Sequence, residues 1–160
     1  MSSACAHLHV HSEYSLLDGA AAIRALAERA AALDQPALGL TDHGVMTGAV
    51  EHYQACRAAG IKPIIGCEIY TVDDHAAPPV RGVKRNHLTL LAATNAGYRN
   101  LVQLSSKGFL EGLQGGKPTL DLAQLAGHAD GIIALTGCLA SRSSQLLLED
   151  RHDEAHGFID

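Results

Sequence analysis

Apolar residues fall along the chain in short runs that alternate with longer amphipathic stretches. Ala6–Val10 is a short strand candidate that ends in His11 and Ser12. From Ala20 to Leu33 the apolar positions Ile23, Leu26, Ala27, Ala30 and Leu33 recur at helical spacing, with Arg24, Glu28 and Arg29 largely off that stripe. Asp18-Gly19 marks the start of this helix and Pro36 its exit. Ala37–Thr41 reads as a buried strand, Val45 to Ala59 as a helix closed by a left-handed Gly60, and Pro63–Val72 as the clearest strand. Asp73–Arg85, with Pro78, Pro79 and Gly82, reads as a loop. His87–Ala93 predicts a fourth strand and Ala96–Glu111 a helix interrupted at Gly108. Gly115–Pro118 reads as a loop, Leu120–Ala126 as a short helix, Gly131–Leu135 as a fifth strand, and the polar tail Ser141–Asp160 as helical.

Strands that alternate with helices, and that are apolar throughout, predict an α/β fold with a parallel sheet covered by helices. There is no internal repeat, linker or low-complexity stretch, so residues 1–160 read as one domain. In such folds sites form at the carboxyl ends of the strands.

Composition narrows the function. The chain has 160 residues, 47% hydrophobic and 18% charged, which suits a domain with its own core. No apolar run reaches the ~18 residues of a membrane span, and charged and imidazole residues crowd the first positions, unlike a secretory signal. The four cysteines, Cys5, Cys56, Cys67 and Cys138, form no Cys-x-x-Cys pair and read as reduced thiols of a cytoplasmic protein. A net charge of −5 disfavours non-specific binding to nucleic acid, so a polyanion would need a local cationic feature such as metal. Aromatics are 4% with no Trp, too few for a base-stacking platform. Histidine, with ten copies, is the outlier.

The histidines gather with other ligand-type residues where predicted strands end. His7, His9 and His11 close the first strand, Asp42 and His43 follow the second, Glu68 lies in the third, and Cys138 follows the fifth; His87 opens the fourth rather than closing it. Imidazole, carboxylate and thiolate bind zinc, manganese or iron. On an extended segment His7, His9 and His11 point the same way; they could hold one ion or two, or be surface histidines on an edge strand. Asp42 either caps the following helix or orients the His43 imidazole from behind. Glu68 is costly to bury unpaired, so a cation neutralises it or it reaches solvent. Asp18 is a helix cap or a hard ligand for a further ion. His87 and Cys138 taken alone read as ordinary packed residues, as do Cys5, Cys56 and Cys67, and His52 reads as an exposed helix residue. Together, these separate strand-end positions converge on one metal centre.

The blocks HLHVHSEYSLLDGA (His7–Ala20), ALGLTDHGVMTGAVEHY (Ala37–Tyr53), AGIKPIIGCEIY (Ala59–Tyr70), HLTLLAATNAGYRNLVQL (His87–Leu104) and GIIALTGCLA (Gly131–Ala140) resemble one family. It is the PHP (polymerase and histidinol phosphatase) domain found at the N-terminus of bacterial DNA polymerase III alpha subunits. Stand-alone PHP phosphoesterases share His-x-His and the TDH motif but not LLDGA or the GIKPIIG block. The resemblance implies a PHP-type distorted (β/α)7 barrel, incomplete here, because the family's last motif, an Asp-x-His from a later strand, has no match before Asp160. The chain then reads as an N-terminal fragment without the polymerase modules. The resemblance further implies metal ligands at His9, His11, Asp18, His43, Glu68, His87 and Cys138, with Glu68 bridging two ions and His7 just outside the motif; Asp42 keeps its place behind His43 from the residue reading. The ions implied are zinc or manganese, or iron, up to three in a complete domain.

The implied chemistry is metal-assisted phosphoester hydrolysis, and in the polymerase setting 3′–5′ exonuclease proofreading of a DNA 3′ end. The partners implied are the remaining domains of the alpha subunit and a separate proofreading subunit. Two other readings stand beside it: a non-catalytic module that stabilises the polymerase and docks that subunit, and a free-standing PHP phosphatase.

Overall fold

A ten-residue strand, β2 (Lys62–Thr71), organises the fold. The structure, a computed structural model, describes residues 5–74 and 85–159. The first half of β2 pairs in parallel with β1 (Ala37–Leu40), from Ala37 opposite Lys62 to Leu40 opposite Ile65. Its last residues pair in parallel with β5 (Lys117–Leu120). The other edge of β2 pairs antiparallel with β3 (Asn86–Ala92), and β3 pairs antiparallel with β6 (Ile132–Leu135). With β4 (Leu113–Gln114) these make a six-stranded mixed sheet among the described residues. The helices are α1 (Ile23–Ala32), α2 (Ala49–Ala58), α3 (Asn95–Leu110), α4 (Leu122–Ala126), α5 (Arg142–Leu148) and α6 (His152–Ile159).

The α/β class therefore holds, but the sheet is mixed rather than parallel. A parallel crossover needs a dozen or more residues, usually a helix. The sequence between β2 and β3 carries no helical pattern, so the chain reverses direction there instead. Of the loop expected over Asp73–Arg85, residues 75–84 lie outside the described residues.

Reversal changes how the two strands read. Their runs look continuously apolar, yet side chains alternate between faces. Cys67 and Ile69 of β2 and Leu88 and Leu90 of β3 join Leu101, Leu104 and Leu120 in one buried cluster beneath α3. Glu68 and Tyr70 fall on the opposite face, directly across from Thr89 and His87. One face of the strand pair is core and the other carries the chemistry. A second cluster, Ala27, Ala30, Leu38, Cys56 and Ile61, packs α1 and α2 on β1; its small alanines let the helices approach closely.

Several boundaries move. Residues 7–10 form not a full strand but a backbone strap along β1: His7 bridges Leu38, Gly39 N–H donates to His7 O (2.7 Å) and Thr41 N–H to Val10 O (2.9 Å). Asp18 does not cap α1, whose N-cap is Ala22 without a side-chain bond; the chain makes a compact turn over residues 12–19 first. α2 begins at Ala49 rather than Val45, because Gly44 takes a left-handed φ of 67° and residues 45–48 turn before the helix starts. α3 runs through Gly108 without a break, since Gly108 only lets Pro118 pack close. The expected loop Gly115–Pro118 is instead the β4–β5 hairpin, whose two-residue Gly115-Gly116 turn has φ of 56° and 77°. α4 then starts at Leu122 with Asp121 and Gln124 as a capping box.

The strap that carries His9 and His11 depends on Gly39. A Cβ there would lie 2.8–3.0 Å from the backbone of Leu8, which cannot rotate away. Gly39→Ala is expected to lower stability by about 1–3 kcal/mol, read as a lower urea midpoint. An unchanged midpoint would show that the strap is not held against β1.

Candidate metal centre

Six segments deliver ligand-type side chains to one place at the edge of the sheet. The strap brings His9 and His11. The continuation of β1 brings His43, whose backbone bridges Glu68: Glu68 N–H donates to Asp42 O (3.1 Å) and Gly44 N–H to Glu68 O (2.8 Å). β2 supplies Glu68. β3 supplies His87, two residues along from the Thr89 that pairs with Glu68. Because β3 runs antiparallel, its first residues lie beside the last residues of β2. That is why a residue opening its strand reaches a site formed at the closing ends of the others. β6 runs antiparallel to β3 in turn, so Cys138, just beyond its end, arrives from the same side.

Glu68 is the hub, with only 1% of its surface exposed. Its Oε2 lies 2.8 Å from His9 Nε2, 3.0 Å from His11 Nε2 and 3.5 Å from His43 Nδ1. Its Oε1 lies 2.8 Å from His87 Nδ1, and Cys138 Sγ is 3.7 Å from that same nitrogen. The two carboxylate oxygens thus face two separate sets of donors. On the far side His43 Nε2 lies 2.8 Å from Asp18 Oδ2, a half-exposed carboxylate brought in by the turn over residues 12–19. The rings pack on each other: His11 stacks on His43 (centroids 4.2 Å) and His43 on Tyr70 (5.5 Å).

Electrostatics follow from this crowding. Burial alone would raise the Glu68 pKa, but contacts with His11, His87 and His9 and the nearby His43 hold it well below the usual carboxylate range. The contact with Glu68 raises the His11 pKa against the opposing effect of burial. His43 Nδ1 is buried without a hydrogen bond, 3.5 Å from Glu68 Oε2, a nitrogen that a cation would satisfy. Three groups bring their ligand atoms within 4.8 Å of one another: His9, His11 and Glu68; His11, Asp18 and His43; His43, Glu68 and His87. These donor sets, nitrogen with carboxylate oxygen, fit divalent zinc, manganese or iron.

The remaining expectations divide. His7 stays exposed and outside these groups, because it sits opposite Leu38, well back along β1 from His43. Asp42 does not touch the His43 ring; its buried carboxylate instead accepts hydrogen bonds from Ser12 N–H (2.6 Å), Ser12 Oγ (2.7 Å) and Ser15 Oγ (2.8 Å). His52 is buried, not exposed, and its Nε2 lies 3.0 Å from Leu38 O, with burial lowering its pKa. Cys56 and Cys67 are buried thiols pushed up to about 11 and about 12 by burial, which keeps them unreactive. Burial also raises the Cys138 thiol. The residues that sequence reading missed are Ser12, Ser15, Tyr70 and Lys117. Lys117 Nζ donates to Tyr70 Oη (3.2 Å) and lies 4.4 Å from its ring centroid.

Comparison with known proteins places the chain. It matches the model of the PHP domain over residues 7–160. It is 48% identical over 152 residues to the DNA polymerase III subunit alpha of Treponema pallidum, covering 93% of this chain and 13% of that protein. It is 46% identical over 156 residues to the DNA polymerase III subunit alpha of Thermus aquaticus, covering 94% and 13%. The chain spans about 13% of the length of these curated relatives. Among solved structures it is similar to an amidohydrolase from Chromobacterium violaceum, with 27% identity, a TM-score of 0.47 and coverage of 64% of this chain and 32% of that one. No helix among the described residues is long and apolar enough to cross a membrane.

The pKa shifts predict how the metal-free chain responds to pH. The raised His11 pKa stabilises fully below its ordinary 6.5, and that contribution is lost as pH rises through the raised value. The lowered Glu68 pKa stabilises above its ordinary 4.5 and is lost as pH falls toward the lowered value. Urea midpoints after chelation should therefore be highest between these values and fall toward about pH 9. Added zinc should reverse the alkaline fall, because metal needs deprotonated ligands. A midpoint that climbs steadily to about pH 9 without metal would contradict this arrangement.

Proposed function

The chain belongs to the PHP domain family, and on that premise we propose that it is the PHP module of a DNA polymerase III alpha subunit, with a metal-dependent phosphodiesterase site that removes nucleotides from DNA 3′ ends. The observation that carries the proposal is the buried Glu68, its two oxygens divided between imidazoles from the strap, the end of β1 and β3. A carboxylate so placed could offer an oxygen to cations held by either set of imidazoles.

In this reading His9, His11, Asp18, His43, Glu68, His87 and Cys138 hold zinc, manganese or iron. When bound, such ions neutralise phosphodiester charge and activate water for hydrolysis. The chain's own residues do the rest. Glu68 fixes the spacing of the two ligand groups, and the His11–His43–Tyr70 stack keeps the imidazoles from turning away. Lys117 makes no ion pair with a carboxylate among the described residues, so its ammonium, propped on Tyr70 beside the cluster, is available to a phosphate oxygen. That local positive charge answers the net charge of −5. The partners of this reading are a DNA 3′ end, the other polymerase domains and a proofreading subunit, in the cytoplasm.

Purified chain loaded with zinc or manganese should shorten a 3′-labelled oligonucleotide faster than it hydrolyses a generic phosphomonoester. His9→Ala and Glu68→Ala should each lower that rate by at least about 100-fold, the upper range seen even for residues behind the ligands. Metal uptake with no turnover on either substrate would assign the module a scaffolding role instead. Lys117→Ala should raise KM for the oligonucleotide about tenfold, equivalent to ~1.4 kcal/mol, with kcat nearly unchanged. An unchanged KM would remove Lys117 from the site.

A further inference from the structure

Proton bookkeeping around Asp42 assigns one more residue. Asp42 is 2% exposed, and its carboxylate can only accept hydrogen bonds. The Ser15 hydroxyl has one proton, and it goes to Asp42 Oδ1 at 2.8 Å. Ser15 Oγ can then act only as an acceptor toward its other neighbours. One is the His43 N–H at 3.1 Å. The other is His11 Nδ1 at 3.2 Å. A bare Nδ1 would set two lone pairs face to face, so this nitrogen must carry the proton. Ser12 cannot substitute, because its proton also goes to Asp42, while its Oγ accepts the Tyr14 N–H (3.2 Å).

We infer that Ser15 is a positioning residue: with its proton held by Asp42, its hydroxyl keeps His11 protonated on Nδ1 and leaves Nε2, 3.0 Å from Glu68 Oε2, to ligate an ion. The inference rests on the metal reading above. It extends the familiar carboxylate–histidine–metal arrangement by one serine. Asp42 thereby acts on His11 at one remove, not on the neighbouring His43 ring. Ser15 also holds the backbone of both other partners: besides the His43 N–H on its hydroxyl, its carbonyl accepts from Asp18 N–H (3.1 Å) and Gly19 N–H (2.7 Å). One buried side chain thus meets both His11 and His43, while the backbone of the same residue closes the turn that presents Asp18.

The test is ring 15N NMR of His11 in the 160-residue chain, with and without zinc, beside zinc affinity. Wild type should show a protected Nδ1–H resonance in both states, and with zinc the Nε2 should be the unprotonated nitrogen. Ser15→Ala should lose the Nδ1–H resonance to exchange and weaken zinc binding by about 10- to 100-fold; Ser15→Thr should restore both. A His11 protonated on Nε2 in the zinc-bound chain, no protected Nδ1–H in wild type, or an unchanged zinc affinity in folded Ser15→Ala would each overturn the inference. If Ser15→Ala does not fold, the wild-type resonance decides alone. Zinc failing to bind wild type while the Nδ1–H resonance persists would sink the metal reading and leave the hydrogen-bond assignment standing.

Discussion

A carboxylate with 1% of its surface exposed must find positive charge or lose its own. Transferring an ion out of water costs several kcal/mol even after the protein relaxes, and Glu68 sits in the longest strand of the sheet with no lysine or arginine in its ion pairs among the described residues. Imidazoles from the strap, β1 and β3 provide the answer. Each is weakly basic, each can be donor or ligand, and each is held at its distance by backbone that is itself hydrogen-bonded to β1 or β2. Protonated histidines neutralise the carboxylate in the metal-free chain, and cations held by the same nitrogens would do so in the reading proposed above.

The need to surround one carboxylate from several directions explains the irregular features of the fold. A sheet of uniformly parallel strands would put His87 at the far end of its strand from Glu68. The antiparallel turn into β3 brings it to 2.8 Å. The strap over residues 7–10 gives up most strand pairing, yet its close approach over Gly39 delivers His9 and His11 across β1. The turn over residues 12–19 delays α1 and frees Asp18 for His43. Behind these, Asp42 and two serines form a layer of hydrogen bonds that reaches the His11 ring through Ser15.

Much of the site was legible from residue types. His9, His11, His43 and Glu68 stood out because polar residues interrupt apolar runs, and such interruptions are costly unless used. Other residues carried weaker signals. The Gly115-Gly116 pair is a hairpin signature, and recognising it would have placed Lys117 on a strand next to β2. Ser12 and Ser15 had no signal of their own, since serine in a turn is ordinary; their importance comes from a buried aspartate thirty and twenty-seven residues away. His52 reads as an exposed helix residue in the sequence, and only its contact with Leu38 shows otherwise. Tyr70 read as a strand aromatic, and its stacking on His43 follows from register.

Local pattern by itself determined most of the element types, the α/β class and the ligand-type residues of the candidate site, because period, turn chemistry and the presence of such side chains are properties of short segments. Strand direction, the face on which each ligand falls and the identity of each hydrogen-bond partner were decided only in three dimensions. They depend on which segments lie side by side, and pairings across dozens of residues are settled by the joint burial of the whole core rather than by any segment alone.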